Sequence, residues 1–229
     1  MNPWRRDHAN GAIMRVDALD GAYLVVPDAA GPHPGVVVVH EATGLNDNIR
    51  SICRRFAAAG YAALGVDLFH GRNRVVCMAQ MFAGGMAGNL DHVGVPELKA
   101  ALARLSAHPD VDADRLGAVG FCLGGSIVLT WACTDDRLAA VAPFYGTLPR
   151  PRAAIRRMCP VVGSWPGRDV TTRSAAVMES ALTAAGIPHD IKVYPGTYHS
   201  FFNDTMPVHH PTAAADAWQR VLAFFAEHV

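Results

Sequence analysis

The stretch Leu116-Gly117-Ala118-Val119-Gly120-Phe121-Cys122-Leu123-Gly124-Gly125 decides how this chain folds. Apolar residues over 115–121 read as a buried strand, and 123–133 reads as a helix that follows with no intervening loop. The junction is G-x-C-x-G-G. A side chain presented on such a sharp turn sits in a strained backbone, and glycines two positions to either side let the chain pass. A helix starting at Leu123 points its positive end at the Cys122 thiol, which favours negative charge there and beside the Leu123 N–H. A phosphate-cradling loop would need Lys-Ser/Thr after its last glycine, whereas Ser126-Ile127 follows Gly125. A dinucleotide fingerprint near the first strand is also absent.

Outward from this turn, short β-branched runs alternate with helix-patterned segments, the mark of βαβ units. Strands are expected at 23–27, 35–40, 61–67, 138–144, 159–164 and 190–194. The valines Val36 to Val39 are continuous, as in a central strand covered on both faces. Helices are expected from Asn46 or Asp47 to Ala59, and over 97–107, 171–185 and 211–228. Residues 71–94 are irregular, with methionines and Phe82 among glycines; they read as a cap over the site or as a poorly regular crossover helix. The fold class is therefore α/β, one domain spanning 1–229 with a mostly parallel central sheet flanked by helices.

The 20 basic and 20 acidic residues balance and are interspersed, so neither nucleic acid nor a membrane surface is an expected partner. No apolar run approaches the ~20 residues of a transmembrane helix. Arg5, Arg6 and Asp7 stand where a signal peptide would be apolar. A cytoplasmic protein, monomeric or a small homo-oligomer, is expected. Of the five cysteines, no pair has CxxC spacing; Cys53, Cys133 and Cys159 read as small buried apolar residues, and Cys77 is open. His209-His210 has no further ligand at metal spacing and reads as a surface pair, while His33, His108, His189 and His228 read as turn or surface residues. No metal or cofactor is expected.

A nucleophile elbow takes its acid and then its histidine from later in the chain. Asp169 follows the strand 159–164, in Trp165-Pro166-Gly167-Arg168-Asp169, and His199 follows the strand ending near Tyr194. Both fall at C-terminal strand ends, where open α/β sheets bind ligands. His199 would move protons, and Asp169 would fix its tautomer. Asp190 lies at the wrong end of its strand and Asp204 too close to His199.

These stretches, with His40-Glu41-Ala42-Thr43-Gly44-Leu45-Asn46, Gly60-Tyr61 to Asp67-Leu68 and Tyr194-Pro195-Gly196 to His199-Ser200-Phe201-Phe202-Asn203-Asp204, resemble the dienelactone hydrolase family. This is a cysteine-nucleophile branch of the α/β hydrolases. The resemblance implies that Glu41 helps to generate the nucleophile once substrate displaces it; the plainer alternative is a carboxylate satisfied by local backbone N–H groups. It implies an oxyanion hole of the Ala42 and Leu123 N–H groups. Tyr145 matches a site-lining position, though a strand-end core aromatic reads nearly as well. Family members proper grip a substrate carboxylate with two arginines. Here Asn203 stands four residues after His199, and the stretch 75–88 has no basic residue. Asn203, Tyr145 and Phe82 are accordingly expected to line an apolar pocket for a less acidic substrate. The expected activity is hydrolysis of a small ester or lactone through an acyl-enzyme. The rivals are thioester or acyl hydrolysis or transfer on the same fold, and a non-catalytic ligand-binding or redox-sensing protein using Cys122.

Overall fold

The computed structural model describes residues 5–9 and 12–229; residues 1–4 and 10 of the polar opening stretch lie outside it, as does 11. The described residues form one nine-stranded sheet in the order β1-β2-β3-β5-β4-β6-β7-β8-β9. The strands are β1 (Arg5–Ala9), β2 (Ala12–Leu19), β3 (Ala22–Pro27), β4 (His33–Val39), β5 (Ala62–Val66), β6 (Val111–Phe121), β7 (Ala140–Phe144), β8 (Val161–Arg168) and β9 (His189–Tyr198). From β5 onward across the sheet every neighbour is parallel, while β1, β2 and β3 join antiparallel at one edge. The fold is thus single-domain α/β, as the alternation of elements implies.

Two apolar layers sandwich this sheet. Val36 and Val38 of β4 face α1 (Asp47–Ala58) and α6 (Pro211–His228), packing with Ile49, Phe56, Val221 and Phe225. Val37 and Val39 face the other way, toward α2 (Arg74–Met86), α3 (Val95–Ser106), α4 (Leu123–Ala132) and α5 (Thr172–Ala185). A run of buried valines is what the period-2 strand requires when both faces are covered. Asn46 caps α1 by accepting from the Ile49 N–H at 3.2 Å.

Several expectations are revised. The hairpin β1–β2 was not foreseen. β6 begins at Val111, earlier than its apolar run, because its polar start pairs with His33 and Pro34 across a bulge. β8 and β9 run on to Arg168 and Tyr198, past their apolar segments. The irregular stretch 71–94 contains a regular helix, α2, started by Asn73, whose side chain accepts from Val75 and Val76. His33 is not a turn residue but a buried strand position, bonded to Ala29 O at 3.1 Å. His210 caps α6.

Candidate active site

β6 delivers Cys122 to the C-terminal edge of the sheet. Its backbone has φ 55° and ψ −112°, a conformation that strains any residue with a Cβ. The strain is held by bonds on both sides: Cys122 N–H donates to Phe144 O at 3.1 Å, and Ser126 N–H donates to Cys122 O at 3.1 Å. The neighbouring glycines are required by close approach. A Cβ on Gly120 would collide with the Gly124 carbonyl, and one on Gly124 with the carbonyls of Val39 and His40. Leu123 opens α4, and the first N–H groups of a helix have no partner within it.

The two partners foreseen for Cys122 come together with it. His199 sits just past β9, followed by Ser200 at φ 62° and by buried Phe201 and Phe202, which pin the turn to the core. Its Nδ1 meets Asp169 Oδ2 at 2.5 Å. Asp169 Oδ2 also accepts from Thr171 Oγ1 at 2.8 Å, which fixes the carboxylate in the loop after β8. Burial alone would raise the Asp169 carboxyl, but the bonds from His199 and Thr171 outweigh it and hold it below the usual range. The hydrogen bond between the Cys122 and His199 side chains is the largest cause raising the imidazole; burial opposes it and Asp169 adds to it, leaving His199 at about 9. The other cysteines are different. Burial pushes Cys53, Cys133 and Cys159 each up to about 12, and Cys77 is buried with its thiol toward Leu68 O. Of the rival acids, Asp190 is taken by Arg220, with Nε to Oδ2 at 2.8 Å.

Glu41 lies at the end of β4 and is 6% exposed. It is not satisfied by local backbone. Oε1 accepts from the Tyr145 hydroxyl at 3.0 Å, and Oε2 accepts from Asn203 Nδ2 at 2.7 Å. Asn203 is itself oriented by Thr205, whose N–H and hydroxyl donate to its Oδ1. Tyr145 stands at φ 42° with its ring 4.8 Å from that of His199. Burial, and then the charge of Glu41, raise its phenol well above the usual value. Among the described residues Glu41 has no cationic partner. Tyr145 and Asn203, expected against substrate, are 1% and 3% exposed and turn their polar atoms to Glu41 instead. The reason is physical: a buried carboxylate without a cation needs donors, and these two supply them.

His40, singled out by no sequence argument, holds the turn that carries Glu41 and Ala42. Its Nε2 accepts from Leu68 N–H at 3.0 Å, so the proton is on Nδ1, which donates to Glu41 O at 2.5 Å. A fully buried histidine at the end of a valine run was the available signal. Ala42 follows in a turn closed by Gly44 N–H to Glu41 O at 3.2 Å.

Beside the elbow opens a cavity of about 290 Å³. Leu123 and Ile127 of α4 form one wall and Met81, Phe82 and Met86 of α2 another. Phe82 lines this cavity and is 59% exposed. No helix among the described residues is long and apolar enough to cross a membrane.

Residues 21–229 match the dienelactone hydrolase family. A Yersinia pestis protein named "Putative carboxymethylenebutenolidase" is 32% identical, with 90% of this chain and 83% of that protein covered. The crystal structure titled "Putative Dienelactone Hydrolase" from Klebsiella pneumoniae has TM-score 0.74 at 29% identity, covering 98% of each chain. A dienelactone hydrolase-like promiscuous phosphotriesterase from metagenomic libraries has TM-score 0.79 at 26% identity, covering 98% of each. An elbow cysteine, a histidine and an aspartate at successive strand ends, and these relatives over nearly the whole chain, lead to one conclusion: the chain belongs to the dienelactone hydrolase family and is a hydrolase of ester or lactone bonds.

Proposed function

We propose that the protein hydrolyses small esters or lactones by covalent catalysis at Cys122. The observation that carries the reading is the linked side-chain series Asp169–His199–Cys122, with the cysteine on a strained turn at the head of α4. The proton of the Cys122–His199 pair passes to His199, which its bonds to Cys122 and Asp169 raise to about 9. The Cys122 sulfur attacks the carbonyl carbon. The oxyanion is received by the Leu123 and Ala42 N–H groups. His199 gives its proton to the leaving oxygen as the C–O bond breaks, leaving a thioester on Cys122. It then takes a proton from water, which attacks the thioester; the carboxylic acid leaves and the thiol–imidazole pair is restored. Glu41 is the activator, freed toward Cys122 when substrate disturbs its bonds to Tyr145 and Asn203. α2 within 71–94 is the cap over the pocket.

The substrate is less acidic beside its reacting carbonyl than a dienelactone. Asn203 is spent on Glu41, and Arg72 is paired with Glu97 at 2.5 Å, so no arginine pair faces Cys122. The test is Cys122→Ala against p-nitrophenyl acetate. The variant keeps the wild-type circular dichroism and loses at least about a thousandfold in kcat. Unchanged turnover contradicts the reading, and stoichiometric labelling of Cys122 without turnover points to a binding or sensing protein instead.

A further inference from the structure

We infer that His40 is a positioning residue for acyl transfer: its grip on the Glu41 carbonyl aims the Ala42 N–H at the developing oxyanion. The inference rests on the hydrolase reading above and deepens it. The Glu41 carbonyl and the Ala42 N–H belong to one peptide unit, and this peptide is trans. In a planar trans peptide the C=O and N–H point in opposite directions, so whatever fixes one fixes the other. Two donors fix this carbonyl: His40 Nδ1–H at 2.5 Å and Gly44 N–H at 3.2 Å. Among the described residues the Ala42 N–H itself donates to no protein acceptor, and neither does the Leu123 N–H. Two backbone donors with no acceptor in the protein, one after β4 and one at the head of α4, are the groups an oxyanion hole is made from.

The imidazole is held for this task. It is enclosed at the end of the valine run, with the Phe69 ring 4.7 Å from its own. Nε2 accepts from Leu68 N–H at 3.0 Å, which leaves the proton on Nδ1. Asp67 Oδ1 lies 3.6 Å from Nε2, beyond hydrogen-bond reach, and accepts from Phe69 N–H at 3.0 Å instead. The ring therefore bridges the turn after β5 and the turn after β4, and a backbone N–H sets its tautomer. A buried bond of this kind polarises the peptide it ends on, which makes the Ala42 N–H a stronger donor. One further contact keeps the two donors in register. The His40 carbonyl meets the first turn of α4 at Gly124, where a Cβ would lie 2.6 Å from it. His40 acts through the Glu41–Ala42 peptide and not on substrate.

The test uses two amides that copy the ring nitrogens one at a time. An Asn amide nitrogen reaches as far from the backbone as Nδ1, and a Gln amide oxygen as far as Nε2. His40→Asn therefore keeps the donor to Glu41 O and loses the acceptor for Leu68; His40→Gln keeps the acceptor and loses the donor. Each gives up one buried bond, so both lose comparable thermal stability, and only His40→Gln loses turnover. On p-nitrophenyl acetate kcat falls about 30-fold in His40→Gln with KM nearly unchanged, and stays within about threefold in His40→Asn; removing a whole oxyanion donor costs about 10²–10³. Alkylation of Cys122 by iodoacetamide forms no oxyanion, so its rate stays within about threefold of wild type in both variants. A kcat no lower in His40→Gln than in His40→Asn, or an alkylation rate that falls in parallel with kcat, overturns the inference and leaves the hydrolase reading standing. A wild type without turnover overturns the hydrolase reading and this inference with it. The wild type also supplies an arm that needs no variant to fold. Long-range proton–nitrogen spectra, with the His40 ring assigned through Phe69, show Nδ1 protonated and Nε2 bare; a proton on Nε2 overturns the inference.

Discussion

The sheet edge that carries Cys122 and the helix α2 that lines the cavity beside it are built by opposite rules. At the edge, polar groups are buried and fully bonded: Glu41 between Tyr145 and Asn203, Asp169 between His199 and Thr171. The non-glycine residues with positive φ among those described, Cys122, Tyr145 and Ser200, all stand there. Such conformations cost of order 1–3 kcal/mol each and persist only where the surroundings over-determine them. In α2 only Cys77 and Met81 are buried, while Met86 is 65% exposed and Val75 and Val76 face outward. The difference separates the chemistry, which tolerates little displacement, from a wall that can vary with the substrate.

Breaking the edge should therefore cost most. Glu41→Gln keeps the shape of the side chain but removes its charge. We expect kcat/KM on p-nitrophenyl acetate to fall about 10- to 100-fold. Thermal stability should hold or rise, because a buried charge without a cation has been removed. Unchanged kcat/KM would make Glu41 structural only.

The titration of the edge gives a second test. Protonation of Asp169 is delayed to below the usual carboxylate range, so the acid limb of kcat/KM should lie low. The alkaline limb should fall with an apparent value of about 9, as His199 loses its proton and no acid remains for the leaving oxygen. The sign carries to stability. His199 contributes fully below its ordinary 6.5, and the contribution is lost as pH rises through about 9. An alkaline limb unmoved in Asp169→Asn would break the assignment.

The smallest effect belongs to the α2 wall. Phe82→Ser removes an exposed ring from the cavity wall, so kcat/KM for long apolar acyl chains should drop about threefold and the melting temperature by under about 1 °C. A large stability loss would mean α2 is built like the edge.

The sequence made the edge legible where its causes are local. Gly120 and Gly124 flank Cys122 because backbone crowds them, and that requirement appears within a five-residue window. Asp169 and His199 follow from the order in which the strands return to one sheet edge. What joins Glu41 to Tyr145 and Asn203 spans 104 and 162 positions. No local pattern encodes such a bond, so Asn203 reads as a pocket residue and His40, within the family-like stretch, carries no assigned role. The N-terminal hairpin was missed because β1, Arg5–Ala9, is a polar edge strand without alternating apolar residues.

The central claim is that the acyl group passes through the Cys122 sulfur. Rapid quenching during turnover of a slowly deacylating ester, p-nitrophenyl pivalate, followed by intact mass and peptide mapping, tests it directly. The account predicts one added acyl group on the peptide carrying Cys122, decaying at the rate of turnover and absent from Cys122→Ala. Full turnover in Cys122→Ala, with no adduct at that residue in wild type, would contradict it.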